Sequence, residues 1–349
     1  MLDNFSLIIP TYNRYSFLQR NIEFYLSYNL NFNIIILDSS TKKITEQVKS
    51  LLINNNIKLI KFSDSIKPIE KILIGMKDVK TEFCAISADD DFLIPSTFKK
   101  YINFLSKNSK YASVHGLYFN HREIEFNSKK YFVLDQLYSN KANSNDDNDP
   151  INRIKNYLNG KCNYYPFYAI TRSNYLKNII YNTNKFSKNI TFDEYLFNIL
   201  SLKIGKMKVF NDLYCSKQIN YFNWTNQSKI YNFFDEVSKK NFLLGVTKNL
   251  VLEDSIQKSF LNYLDNWFVS TKEKALLRIK NNLLIEKNQN QLNKNFLKYF
   301  IFKIKLFLRS MYLYLYLGCN LEDKKKIEKY LKKFDNIDSE LISARNTYI

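Results

Sequence analysis

Glycine and proline are scarce in this chain, at 6 and 5 of 349 residues, and histidine appears only twice. Four widely spaced cysteines, Cys84, Cys162, Cys215 and Cys319, form no C-x-x-C pair, so neither a zinc site nor a disulfide framework is expected. The thiols are expected to be reduced and buried. The start of the chain reaches its first apolar run after Met1-Leu2-Asp3-Asn4 and lacks the basic n-region of a signal peptide, which predicts a cytoplasmic protein. An uncharged apolar run long enough to span a bilayer is also missing. Residues 296–317 have the length, but Lys298, Lys303, Lys305 and Arg309 interrupt them.

What is abundant is apolar and basic. Hydrophobic residues make up 45% and aromatics 16%, enough to bury a core without disulfides or a structural metal. Lys and Arg outnumber Asp and Glu by 52 to 33, a net charge of +19 that raises nucleic acid or an anionic membrane as partners. The accompanying richness in Asn, Ile, Tyr and Phe is also what an AT-rich genome imposes on any protein, and composition does not separate these readings.

The first hundred residues alternate strand-like and helix-like segments, the pattern of a mostly parallel sheet with covering helices. Residues 5–10, 33–38, 57–62 and 83–87 read as strands, being β-branched or aromatic-rich runs bounded by polar residues. Segments 16–28, 45–53 and 69–79 carry apolar residues at helical spacing. Open sheets bind ligands beyond the carboxyl ends of their strands. Three polar segments fall there: Thr11-Tyr12-Asn13-Arg14, Asp38-Ser39-Ser40 and Asp89-Asp90-Asp91. Residues 139–150 read as a flexible polar loop, 162–171 as a strand and 190–204 as a helix with an acidic start. From about residue 229 the pattern is helical, with no proline, and the domain boundary is expected there: an α/β domain over 1–228 and a helical one over 229–349. The apolar positions within 296–317 form one stripe at helical spacing. That stripe suits docking of the basic helix on an anionic membrane surface, or packing into a bundle or a homodimer.

Three carboxylates directly after an apolar strand carry the strongest chemical signal. Packed like charges need a cation, and hard oxygen ligands suit Mg²⁺ or Mn²⁺ bridging to a diphosphate. With these loops the sequence resembles the family 2 glycosyltransferases of GT-A fold: residues 5–14 as their opening strand and loop, Asp38 ending the second strand, and 87–95 as their D-x-D segment. The resemblance covers about residues 4–225. It implies a Rossmann-like mixed α/β sheet and a nucleotide pocket lined by Pro10, Thr11, Tyr12 and Arg14, with Asp38 accepting from the base and Lys71 reaching a phosphate. Many members read D-x-D-D, whereas Ala88 stands where the first acid aligns. Either Asp89 and Asp91 form the pair, or Asp90 and Asp91 match the last two acids; Asp91 is a metal ligand in both registers, with Asp89 next.

Inverting members use a carboxylate near the start of a later helix as general base, which points first to Asp193 and then to Glu194. Tyr164, Tyr165, Phe167, Tyr168 and Arg172 are candidates for an acceptor wall, and Asn223, Trp224 and Gln227 for closure over the diphosphate. The resemblance implies sugar transfer from a nucleotide sugar to a hydroxyl of a bacterial surface glycan or lipid-linked acceptor. UDP-sugars are favoured and CMP-sugars allowed. Two rivals stand beside it. A nucleotidyltransferase would normally carry a glycine-rich loop after the first strand, and Thr11-Tyr12-Asn13-Arg14 has none. A non-catalytic nucleic-acid binder accounts for the charge but not for the triple aspartate, and no nucleic-acid partner is expected.

Overall fold

The structure, a computed structural model, describes residues 2–54, 56–126, 129–137, 142–162, 166–186, 190–218, 236–250 and 257–270, with residues 273, 322, 323, 325, 326 and 329. Its elements run β1(Phe5–Thr11), α1(Tyr15–Leu26), β2(Asn33–Asp38), α2(Glu46–Leu51), β3(Ile57–Lys61), α3(Pro68–Gly75), β4(Phe83–Ile86), β5(Phe92–Leu93), α4(Phe98–Lys107), β6(Tyr111–Phe126), β7(Lys129–Leu137), α5(Pro150–Leu158), β8(Ile170–Arg172), α6(Ser173–Phe186), α7(Ile190–Ile204), β9(Lys206–Gln218) and α8(Glu236–Asn249). The strands form one 9-stranded mixed sheet in the order β3-β2-β1-β4-β8-β6-β9-β5, with β7 paired to β6. Strands β1 to β4 are mutually parallel, in registers that set Thr11 beside Asp38 and Ile8 beside Ile86. Their carboxyl ends therefore share one edge.

Strands β1, β2 and β4 carry near-continuous apolar runs, Leu7–Ile9, Ile34–Leu37 and Phe83–Ile86, because both sheet faces are covered there, as parallel sheets require. Leu7 and Ile9 join one core cluster with Leu18 and Ile22 of α1 and Phe98 of α4. Ile8, Ile35 and Leu37 face the other way, with Ile69 and Ile72 of α3 and Leu176 of α6. Helix starts follow local chemistry. Thr45 caps α2 through its hydroxyl, Pro68 opens α3, and Asp149 accepts from Ile151 N before Pro150 opens α5.

The four early strands and three early helices lie where the periodicity predicts them, to within a few residues at their ends. Two expectations need correction. Residues 162–171 are not one strand: within their described part, a 3-10 turn at Pro166–Tyr168 precedes the short strand Ile170–Arg172. Pro166 lacks the N–H that a ladder needs, and the turn points Tyr168 toward the sheet edge. The described part of 139–150 is not loose either. Asn145 is buried, pairs its backbone with Met207 and donates to Arg153 O at 2.8 Å. Its backbone bonds and its amide Nδ2 hold this segment onto the sheet.

Phe242 and Val246 of α8 and Phe260, Leu264 and Phe268 of the helix over 257–270 enter the same core cluster as Phe192 and Leu196 of α7. Gly245 permits the approach, since a Cβ there would lie 2.8 Å from Leu196 Cδ2. The expected boundary at 228/229 falls outside the described residues, as does the amphipathic segment 296–317. Among the described residues no helix is long and apolar enough to cross a membrane.

One C-terminal residue is tied to the α/β sheet domain. Asp323, 4% exposed, accepts from Tyr28 Oη at 2.6 Å and Ser96 Oγ at 2.7 Å, and Lys326 Nζ lies 3.9 Å from the Tyr28 ring centroid. Asp323→Ala removes the acceptor of two hydrogen bonds, from half-buried Tyr28 and exposed Ser96, and is expected to destabilise the fold by about 0.5–1.5 kcal/mol. The urea midpoint measures this; an unchanged midpoint would mean that the contact contributes nothing.

Candidate active site

The site is built where β1, β2 and β4 end. Asn13, with φ 54°, turns the chain after β1 in the left-handed region that asparagine tolerates better than most residues. Its Oδ1 accepts from Thr41 N and Lys42 N, both at 3.0 Å, and its backbone N donates to Ser40 Oγ at 2.7 Å. These bonds staple the loop after β1 to the loop after β2, and Arg14 emerges from the turn toward the acidic loop.

The acidic loop is enclosed by donors. Thr11 Oγ1 donates to Asp89 Oδ2 at 2.7 Å, and Arg14 forms ion pairs with Asp89 Oδ1 and, at 3.0 Å, with Asp90 Oδ2. Asp91 accepts from Tyr168 Oη at 2.9 Å and from Gln218 N at 2.8 Å. Its backbone O accepts from Asn21 Nδ2 at 2.6 Å. Behind the loop, the buried Arg20 guanidinium donates to Asp90 O at 3.2 Å and Gln218 Oε1 at 2.8 Å, and lies about 5 Å from the Phe17 and Phe92 ring centroids.

Electrostatics separate the three acids. Burial raises the Asp89 pKa to about 6, with Arg14 opposing the rise and Asp90 adding to it. Burial and the Asp90 charge raise Asp91 to about 7. Burial would also raise Asp90, but Arg14 and Arg20 outweigh it and hold that carboxyl below its ordinary value. Burial would lower Arg14, but Asp89 and Asp90 keep its guanidinium above its usual value.

The second pocket centres on Asp38, which is fully buried. Tyr15 Oη and Lys61 Nζ donate to its Oδ2 at 2.7 and 2.6 Å, and Ser40 N donates to Oδ1 at 2.8 Å. Burial opposes ionisation, yet these bonds hold the carboxyl below its ordinary pKa. Lys71, expected to reach a phosphate, turns inward: it is 3% exposed and donates to Thr11 O and Ser39 Oγ at 2.8 and 2.9 Å. Burial lowers its pKa to about 8. In this structure it bridges the first two loops from beneath. Tyr12 is buried and Pro10 half-buried at the end of β1.

Across the edge, α7 presents half-buried Asp193 and exposed Glu194 in its first turn. The protein around the Glu194 carboxyl desolvates it and raises its pKa, with Lys217 opposing. Lys217 also acts on Asp91 and sits 5.1 Å from the Tyr168 ring centroid, so the Glu194 carboxyl and the acidic loop share one cation.

Of the expected acceptor wall, Tyr168 belongs to the acidic loop through its bond to Asp91, and Phe167 packs on Phe197 at 5.0 Å between centroids. Arg172 is a correction. It donates to Leu105 O at 2.5 Å and pairs with Glu82 at 3.3 Å, at the amino end of β4, because the antiparallel pairing of β8 with β4 carries it away from the site. Tyr164, Tyr165, Asn223, Trp224 and Gln227 lie outside the described residues. Tyr15, Arg20, Lys61 and Gln218 were not anticipated. Lys61 had one legible signal, its place at the end of the strand next to β2; the others depend on where α1 and β9 cross the acidic loop.

A parallel sheet edge within a mixed sheet, closed by an acidic loop, is the arrangement of a GT-A fold. The chain belongs to glycosyl transferase family 2, whose model matches residues 6–180, just over half of the 349. Among solved structures, S. aureus TarS 1-349 in complex with UDP-GlcNAc is 17% identical with a TM-score of 0.52, covering 76% of this chain and 72% of that one. A second crystal structure of S. aureus TarS 1-349 gives 16% identity, a TM-score of 0.49 and the same coverage. At these identities the likeness concerns the fold. No curated protein matches the chain.

Proposed function

We propose that this glycosyltransferase moves a sugar from a UDP-sugar to a hydroxyl of a surface glycan or lipid-linked acceptor, with inversion at the anomeric carbon. The observation that carries the reading is one sheet edge holding three clustered carboxylates and the buried Asp38 carboxylate, with the Glu194 carboxyl sharing Lys217 with the acidic loop. Asp38, kept ionised, is the acceptor that uracil N3–H needs; Pro10, Thr11 and Tyr12 line the nucleotide. The binding of UDP-GlcNAc by a neighbour of the same fold supports a uridine donor.

Among the described residues no group of three or more ligating side chains is gathered for a metal. A cation held largely by substrate phosphates needs only one or two protein carboxylates. Asp91 and Asp89 fit that role: both are hard-oxygen donors at the strand end, and a bound cation would favour the ionised form that burial disfavours. Bound there, Mg²⁺ or Mn²⁺ would screen the charge developing on the diphosphate. Asp90, paired with Arg14 and the most exposed of the three, supports the nucleotide side of the loop.

Glu194 is the favoured base and Asp193 the second choice, because a raised pKa suits proton abstraction near neutral pH. The carboxylate takes the acceptor's hydroxyl proton, the oxygen forms the new bond to the anomeric carbon, and the bond to the diphosphate breaks with its electron pair leaving on UDP. The basic C-terminal segment serves to meet an anionic membrane surface or a second copy.

Binding and slow hydrolysis of UDP-, GDP- and CMP-sugars, with and without Mn²⁺, tests this. A UDP-sugar is expected to bind and hydrolyse with metal; failure of every nucleotide sugar to bind would overturn the reading.

A further inference from the structure

The end of β3 adds a residue to the Asp38 pocket that the family resemblance did not supply. Asp38 and Lys61 are direct partners in the parallel register of β2 and β3. The Lys61 ammonium contacts Asp38 Oδ2 at 2.6 Å and Tyr15 Oη at 2.8 Å, and rests 5.5 Å from the Tyr15 ring centroid. The other two partners of Asp38 are fixed. Tyr15 is buried on α1, and the Ser40 donor is a backbone N–H. The Asp38 side chain has no exposure, whereas that of Lys61 is 49% exposed on a flexible stem. An incoming ligand edge therefore meets the ammonium before it meets the carboxylate.

We propose that Lys61 and Asp38 together read the nucleobase, Asp38 accepting from the ring N3–H of uracil while Lys61 donates to the adjoining carbonyl. The inference rests on the uridine-donor reading and extends it to a second specificity residue. A carboxylate beside an ammonium offers an acceptor and a donor side by side, the complement of N3–H beside C=O. Cytosine carries an acceptor at ring N3, which the carboxylate repels. The ammonium has three N–H groups, so it can share Asp38 with the base carbonyl after a small swing that frees a lone pair of Oδ2 for N3–H. Losing Lys61 removes a charge-assisted bond to uracil and leaves Asp38 without its flexible counter-ion, while the phosphate end of the site keeps its residues.

Calorimetric titration of the full chain with UDP, CDP and inorganic pyrophosphate, using wild type, Lys61→Met and Lys61→Arg, tests the pair. Wild type is expected to prefer UDP over CDP by tenfold or more. Lys61→Met is expected to lose about tenfold in UDP affinity, with the preference collapsing and pyrophosphate binding unchanged, and Lys61→Arg to keep the preference. A Lys61→Met protein with the wild-type UDP-to-CDP ratio overturns the inference and leaves the uridine-donor reading intact. A parallel loss of pyrophosphate binding also overturns it, since that marks a general structural defect. If wild type binds neither nucleotide, the uridine-donor reading itself falls, and this inference with it.

Discussion

Asp91→Asn is expected to lower kcat/KM on the order of 10³-fold. The two Asp91 oxygens each accept a hydrogen bond, from Tyr168 Oη and Gln218 N. An amide keeps the shape but offers one acceptor oxygen and no charge. One buried donor therefore loses its partner, and the diphosphate loses an acid through which a cation would hold it. The same substitution is expected to reshape stability against pH. Burial and Asp90 raise the folded Asp91 pKa to about 7, well above the ordinary carboxylate value, so between the two the folded protein holds a proton that the unfolded chain has released. For an acid shifted in this direction, ionisation costs stability as pH rises from about 4 toward 7, and the cost stays above that. Thermal melts without ligand at pH 5 and pH 8 measure it. Wild type is expected to lose more stability between the two than Asp91→Asn, and equal pH slopes would sink the electrostatic account of this loop.

Glu194→Gln is expected to reduce kcat by about 10²–10⁴-fold with little change in KM, as loss of a general base does. Asp193→Asn serves as the comparison and is expected to cost less. Because the protein around the Glu194 carboxyl desolvates it and raises its pKa, the acidic limb of the kcat profile in wild type is expected above the ordinary glutamate range, with activity rising as the carboxyl ionises. The folded state resists that ionisation, so the glutamine variant is expected to be at least as stable as wild type at neutral pH. A structural glutamate predicts the reverse, lower stability with kcat nearly intact. If Asp193→Asn proves the more damaging change, the two acids exchange roles.

Continuous apolar runs made β1, β2 and β4 legible, because strands buried on both faces cannot hide their composition, and β3 was legible from its β-branched residues between polar ends. The acidic loop was legible for a related reason: three adjacent carboxylates after such a strand are costly without a purpose. Residues 162–171 misled because an aromatic run reads the same whether it forms a strand or, as in the described part, a turn feeding a short strand. Arg172 misled because its place depends on the direction of β8, which composition does not carry.

By itself, the sequence determined the mixed α/β class, the three polar loops at one sheet edge and the candidate acids, since each depends on periodicity or on adjacent charge. Only the tertiary structure decided what those acids touch. Arg20 arrives from α1, Tyr168 from a turn beside β8, Gln218 from the end of β9 and Lys61 from β3, each brought in by sheet order and strand direction. Local sequence dictates which groups are chargeable, but pKa values, partners and accessibility are set by neighbours distant along the chain, as with the 127 positions separating Asp91 from Gln218.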